Sequence, residues 1–248
     1  MGRFFFRAGA LLIFGVWGTF VPTNVLAQNA PPTPGGGISI SKRNFPAVVS
    51  LQVGHAHCSA TIVAKNVIVT AAHCFNRKNL AGAVLLENKY YRVQGYVYQS
   101  LFSDHDVDIA IGILDQAVHV KPLSINLEKP VAKKFTSLGT GQTDRLNDYF
   151  FIESSDHVPG VAAARLLQGY YLTKENAVNI SIIDNGDSGG PSLAFTYSDQ
   201  FMISGIHLSS TNGQNVDLRM DAPEVKKFLN KMIQDHKLEI CGVNVGCK

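Results

Sequence analysis

The series of short β-branched runs does most to limit the folds open to this chain. Residues 45–53 (FPAVVSLQV) and 60–69 (ATIVAKNVIV) begin it, the second broken by Lys65-Asn66, a turn signal. Runs at 83–86, 90–98, 109–114, 135–138, 149–153, 165–172, 178–183, 192–196, 201–208 and 216–220 continue it, separated by turns rich in Gly, Asn, Asp and Ser. Many short strands with frequent turns predict an all-β sandwich or a pair of barrels. One segment breaks the pattern. Across residues 222–236, Val225, Phe228, Leu229, Met232 and Ile233 recur at helical spacing. Asp221 is placed to cap this helix and Pro223 falls in its first turn. The spacing predicts a single amphipathic helix docked on the β body.

At 248 residues, 46% hydrophobic and 17% charged, the chain can build a sizeable core in one large or two small domains. A net charge of +3 without a basic block argues against nucleic acid as the main partner. Residues 1–27 read as a secretory signal. Arg3 and Arg7 precede an apolar stretch at 8–21 that is short for a bilayer span, and Val25-Leu26-Ala27 offers a cleavage site before Gln28. The expectation is a secreted protein, extracellular or periplasmic, with no stable membrane anchor after signal cleavage. Residues 28–37 (QNAPPTPGGG) read as a linker or propeptide. Export permits disulfides among Cys58, Cys74, Cys241 and Cys247. Spacing favours Cys58–Cys74 and Cys241–Cys247, because each pair closes a short local loop, whereas no ligand spacing supports a zinc site.

The chemistry concentrates in three stretches. Asn185-Gly186-Asp187-Ser188-Gly189-Gly190-Pro191 is a glycine-rich turn that can present the Ser188 hydroxyl and its own N–H to a ligand. A nucleophilic serine needs a histidine base and an orienting carboxylate. His73 sits in TAAHC, at a strand end beside a cysteine. Asp108 leads from DHDVD into the apolar strand IAIGIL, where a buried carboxylate requires a strong donor such as an imidazole N–H. Metal binding is the alternative use of this acidic stretch.

TAAHC, DIA and GDSGGP, in that order, resemble the three signature stretches of the chymotrypsin/trypsin superfamily of serine proteases. Cys58 lies where that family bonds a cysteine to the one after the catalytic histidine. Residues 138–143 (LGTGQT) are similar to its glycine-rich inter-domain stretch, and the similarity runs from about residue 38 to about residue 236. The resemblance implies two six-stranded antiparallel β-barrels with a C-terminal α-helix. The barrels divide as 38–130 and 131–248, the latter including a disulfide-stapled tail. It also implies a secreted serine endopeptidase working through an acyl-enzyme. Ser188 is then the nucleophile, His73 the base and Asp108 the orienting carboxylate, with Gly186 and Ser188 N–H groups forming the oxyanion hole. In that family the aspartate matching Asp187 pairs with a new N-terminal ammonium after zymogen cleavage. The usual Ile-Val-Gly-Gly start is missing here. Ile38 and Ile40 are candidate new N-termini, though neither follows Lys or Arg. A terminus left by signal peptidase, or an internal partner for Asp187, are the alternatives. Protein or peptide substrates follow as partners, a protein inhibitor is compatible, and a monomer without cofactor or metal is expected.

The specificity pocket departs from that of trypsin. The position of trypsin's pocket aspartate counts to Ile182, followed by Ile183 and Asp184, and the pocket disulfide is lacking. The opposite wall, residues 205–210 (GIHLSS), carries a Gly-Ile-His triplet similar to that of bacterial glutamyl endopeptidases. That likeness implies that His207, with hydroxyls from Ser209 and Ser210, receives an acidic P1 side chain, since a carboxylate ligand favours the imidazolium. Ile182 and Ile183 support instead a small or apolar P1, with His207 merely buried. The non-enzyme alternative is a protease-like binding protein without turnover. The 241–247 tail lies beyond the resemblance, Asn179-Ile180-Ser181 is a glycosylation sequon, and Lys129, Lys133 and Lys134 read as a solvated face.

Overall fold

Strand pairing organises the chain into two β bodies joined by residues 121–128. The computed structural model describes residues 38–41, 45–75, 80–98, 107–128, 135–141, 148–159, 170–175, 185–195, 200–211 and 214–247. The signal at 1–27, the linker at 28–37, the acidic residues 104–106, the run at 178–183 with its sequon, Asp184, Lys129, Lys133 and Lys134 lie outside the described residues.

After β1 (Ile38–Ser41), the chain forms β2 (Val48–Val53), β3 (Ala56–Ala64), β4 (Val67–Thr70), β5 (Ala81–Leu86), β6 (Lys89–Val97) and β7 (Ala110–Leu114). Strands β2 to β7 close into a six-stranded antiparallel barrel in the order β2-β3-β4-β7-β6-β5. Lys65-Asn66 falls in the turn between β3 and β4. β4 is buried along its whole length, which explains why its sequence reads as a continuous apolar run rather than an alternating one. Leu51, Ile62, Ile68, Val84, Val93 and Ile111 contribute to the core.

The second body comprises β8 (Phe135–Gly139), β9 (Asp148–Pro159), β10 (Tyr170–Glu175), β11 (Pro191–Phe195), β12 (Phe201–Thr211) and β13 (Gln214–Arg219). Its order is β1-β9-β10-β13-β12-β11-β8, and β8 also pairs with β9. The β8–β9 pairing, with Leu138 opposite Phe151, returns six strands on themselves. β1 is a seventh, added to β9 with Ile38 opposite Phe151 and Ile40 opposite Tyr149. The expected pair of six-stranded bodies is therefore present, and the second gains one strand from the start of the described chain.

Helix α1 (Pro223–His236) buries Val225, Phe228, Leu229 and Met232, the face its spacing predicts. Its N-cap is Ala222 without a side-chain capping bond, not Asp221 as expected. The Asp221 carboxylate is instead engaged by Arg219, which donates from Nε at 2.9 Å and from Nη2 at 2.6 Å. A two-point guanidinium–carboxylate contact is stronger than a single cap bond and takes the aspartate away from the helix. Although α1 follows the second body, it packs on the first. Phe228 meets Tyr98 edge-on at 5.8 Å between ring centroids, and His236 lies 4.3 Å from Tyr96.

Both expected disulfides, Cys58–Cys74 and Cys241–Cys247, are formed. The second staples a tail with a structural task. Cys241 N donates to Val63 O of β3, and Ile125 N donates to Cys241 O, each at 2.9 Å. Ile125 in turn bridges to Ile203 of β12. The stapled turn thus links the first barrel, the connecting segment and the second body. Truncating the buried Phe228 to alanine is expected to cost about 3–5 kcal/mol, seen as a fall of roughly 10 °C in Tm by calorimetry.

Candidate active site

The register of β4 against β7 brings His73 and Asp108 together. Thr70, the last residue of β4, pairs with Ala110, the first of β7. Three residues past that pair the chain turns through a short 3-10 segment, Ala72–Cys74, carrying His73. Two residues before it lies Asp108. The carboxylate makes two contacts with one residue: His73 N donates to Asp108 Oδ1 at 2.9 Å, and His73 Nδ1 lies 2.6 Å from Oδ2. The Cys58–Cys74 disulfide fixes the adjacent position to β3.

This pair holds the imidazole with Nδ1 toward the acid and Nε2 away from it. Burial by itself lowers the His73 pKa. The hydrogen bond to Asp108 and the charge of that carboxylate act in the opposite sense and prevail, so the pKa lies above the ordinary 6.5. The ring stays 42% exposed, open to a ligand on its far side.

Ser188 approaches from the second body on the turn that precedes β11. Gly186 (φ 95°) and Gly189 (φ 83°) adopt left-handed backbone angles there, which is why glycine occupies both positions. A Cβ on Gly189 would also collide with Thr70 Oγ1 and the Ser59 carbonyl of the first barrel. The turn is bonded directly to that barrel. Ser59 N donates to Ser188 O at 2.8 Å, and Cys74 Sγ lies 3.7 Å from the same oxygen.

Ser59 Oγ is the most heavily used hydroxyl in this region. It donates to Gly186 O at 2.9 Å, accepts from Thr140 N at 2.8 Å, and lies 3.0 Å from Thr140 Oγ1. With its one proton committed to Gly186 O, the Thr140 hydroxyl must be the donor to it, which fills both lone pairs.

Asp187 is buried, and its Oδ1 accepts the Gly141 N–H at 2.9 Å. A Cβ at Gly139 would overlap this carboxylate, so the glycine-rich 138–141 stretch makes room for it. Asp187 O accepts from Gly190 N at 2.9 Å. Because the peptide is trans, that bond turns the Ser188 N–H to the opposite side. Among the described residues, the N–H groups of Gly186 and Ser188 have no acceptor. The Ser188 hydroxyl donates to Leu208 O at 3.2 Å rather than to His73.

The pocket residues are less uniformly placed. Ile182 and Ile183 lie outside the described residues. Ser209 is exposed on β12, and Ser210 occupies the next position of that strand. His207 is 1% exposed and faces inward, its Nδ1 2.6 Å from Asp217 Oδ1. Its backbone is bonded to the Ser188 turn: Gly189 N donates to His207 O and His207 N donates to Gly190 O. His207 Nε2 is buried and has no hydrogen-bond partner.

Several contributors were not picked out by motif: Ser59, Thr140, Ser192 and Asp217. For Asp217 a signal existed. A lone carboxylate between Val216 and Leu218 in an apolar strand requires a buried donor. Cys58, His73 and Cys74 offer ligand atoms within 4.8 Å of one another, but the two sulfurs are joined in a disulfide, so the trio does not fit a thiolate metal site.

Comparison with known proteins agrees with this geometry. The trypsin family model matches residues 34–222. Hypodermin-A from Hypoderma lineatum is 42% identical over 60 residues, a match covering 24% of this chain and 23% of that protein. Among solved structures, a scabies mite inactivated protease paralogue, S-D1, superposes with a TM-score of 0.63 at 16% identity, covering 83% of this chain and 99% of the other. HL collagenase gives 0.62 at 16% identity, covering 82% and 99%. At such identity the two structures speak for the fold, which is chymotrypsin-like. With the family match spanning most of its length, this chain belongs to the trypsin family of serine proteases.

Proposed function

We propose that the chain is a secreted serine endopeptidase with Ser188, His73 and Asp108 as its triad. The observation that carries this reading is the two-point hold of Asp108 on His73, opposite a serine turn bonded to the same barrel. In the reacting enzyme the Ser188 hydroxyl exchanges Leu208 O for His73 Nε2 as its partner; such bonds are commonly loose before substrate binds. Ser188 Oγ then attacks the scissile carbonyl as His73 takes its proton. The oxyanion that forms accepts from the N–H groups of Gly186 and Ser188, a contribution of about 2.7–4 kcal/mol per donor. His73 passes the proton to the leaving amine, and water hydrolyses the acyl-enzyme by the reverse sequence. Asp108 keeps the tautomer and stabilises the imidazolium throughout. Disulfides fit an oxidising compartment, and among the described residues no helix is long and apolar enough to cross a membrane.

For P1, the reading is an acidic side chain, glutamate in the first instance. What supports it is His207 Nε2, a buried polar atom without a partner on a residue whose backbone is bonded to Gly189 and Gly190. Leaving such an atom unpaired costs about 1–3 kcal/mol, and a substrate acceptor removes that cost.

Two outcomes test these assignments. A base must be neutral to accept a proton, so kcat/KM for the mature enzyme should fall as pH drops through a single ionisation above 6.5. D108N removes the negative charge that helps raise the His73 pKa, so this limb should move down while kcat falls about 10⁴-fold; an unchanged limb contradicts the pairing. On peptide substrates, cleavage after Glu should be faster than after Phe or Lys, and His207→Ala should abolish the preference; equal or better cleavage after Phe sinks the acidic-P1 reading.

A further inference from the structure

A buried polar chain crosses the interior of the second body, and the triad makes no use of it. It begins at His207 on β12. Nδ1 of that ring lies 2.6 Å from Asp217 Oδ1, on the β13 residue directly opposite. Ser192 Oγ on β11 donates to Asp217 Oδ2 at 2.5 Å, and Ser137 Oγ on β8 lies 3.3 Å beyond. All four residues are buried, His207 and Asp217 to 1% exposure. Gly205 makes the approach possible, because a Cβ there would press within 3.1 Å of Ser192 Cβ and 3.3 Å of Asp217 Cβ.

Such a chain is a poor way to stabilise a barrel. Apolar side chains of similar volume would fill the space without the desolvation penalty of a carboxylate and an imidazole. Only one end of the chain is unsatisfied. Both oxygens of Asp217 are engaged, whereas His207 Nε2 has no partner. That end belongs to the residue clamped by backbone bonds to Gly189 and Gly190, next to the serine.

We propose that Asp217 is the positioning residue that sets P1 selectivity, through His207. This rests on the acidic-P1 reading above. Asp217 holds the His207 proton on Nδ1, so Nε2 is the nitrogen left for the substrate. With a P1 carboxylate on one side of the ring and Asp217 on the other, the complex favours a proton on both nitrogens, and Nε2 donates to the substrate. Ser192, backed by Ser137, holds the carboxylate in register and occupies the oxygen that His207 does not use. An asparagine at 217 keeps an acceptor for the Nδ1 proton but lacks the charge. The second negative charge beside the ring is then missing, so a P1 carboxylate loses its advantage. The amide N–H of a P1 glutamine can instead donate to an Nε2 that carries no proton.

The test is the set of kcat/KM values of the mature enzyme, its D217N and its S192A variants, on one peptide varied at P1 among Glu, Gln and Phe. For D217N the Glu-to-Phe ratio should fall at least tenfold and the Gln-to-Glu ratio should rise, with P1 Phe cleavage within threefold of the parent. A merely structural role for Asp217 would lower all three substrates together, and that result overturns the proposal. An unchanged Glu-to-Phe ratio overturns it too, while leaving the acidic-P1 reading in place. If the parent enzyme shows no Glu preference, the acidic-P1 reading itself fails. Should D217N not fold, S192A decides by the same ratio. It retains the charge but frees one oxygen of Asp217, so a loss of threefold or more supports the proposal and no change contradicts it.

Discussion

The Ser59 hydroxyl ties the two halves of the molecule together beside Ser188 and His73. It belongs to the first barrel, one residue from the Cys58–Cys74 disulfide, yet its three hydrogen bonds go to Gly186 and Thr140 of the second body. Its backbone N–H holds the Ser188 carbonyl, and its carbonyl accepts from Thr70 Oγ1 at 2.7 Å. A buried hydroxyl with every donor and acceptor position filled is strongly directional, because any shift leaves several polar groups unpaired at once. The Ser188 turn is therefore held by the opposite barrel as well as by its own sheet, where Gly189 N donates to His207 O and His207 N donates to Gly190 O. Asp187 anchors the same turn within the second body by accepting from Gly141.

Placement of His73 and Asp108 follows from a different constraint, strand register. With Thr70 opposite Ala110, residues 73 and 108 emerge at the same end of a closed barrel. The continuous pairing of β4 with β7, from Val67 opposite Ile113 to Thr70 opposite Ala110, fixes this register and with it the His73–Asp108 pair. The C-terminal helix and its stapled tail complete the arrangement by packing on the first barrel and reaching the connecting segment through Cys241.

What was legible in the sequence divides along physical lines. The run-and-turn pattern carried the all-β architecture, and the 3.6-residue period carried α1 to within one residue. Short loop closure carried both disulfides. These are local properties, and local patterns survive in one dimension. Three signature stretches in order marked His73, Asp108 and Ser188 because each sits on a turn whose composition is itself constrained. The Asp221 cap was misjudged, since a cap is decided by competition among neighbours and Arg219, two residues away, holds the carboxylate more firmly. The seventh strand of the second sheet, the Ser59 bonds and the partners of Asp217 in the His207–Asp217–Ser192–Ser137 chain were not legible. They depend on contacts between different strands, and only Asp217, a carboxylate between Val216 and Leu218, stands out by residue type. His207 shows the difference well: its triplet suggested an open pocket wall, whereas the ring is buried against Asp217 and only Nε2 is left without a partner.

The central claim is that the turn held by Ser59 presents an activated serine. The most direct measurement is covalent labelling of the mature protein with a fluorophosphonate, the modified residue being mapped by mass spectrometry. The account predicts one label per chain, on Ser188, and none when Ser188→Ala or His73→Ala is used. A folded protein that takes up no label, or takes it up elsewhere while Ser188 stays unmodified, would contradict it.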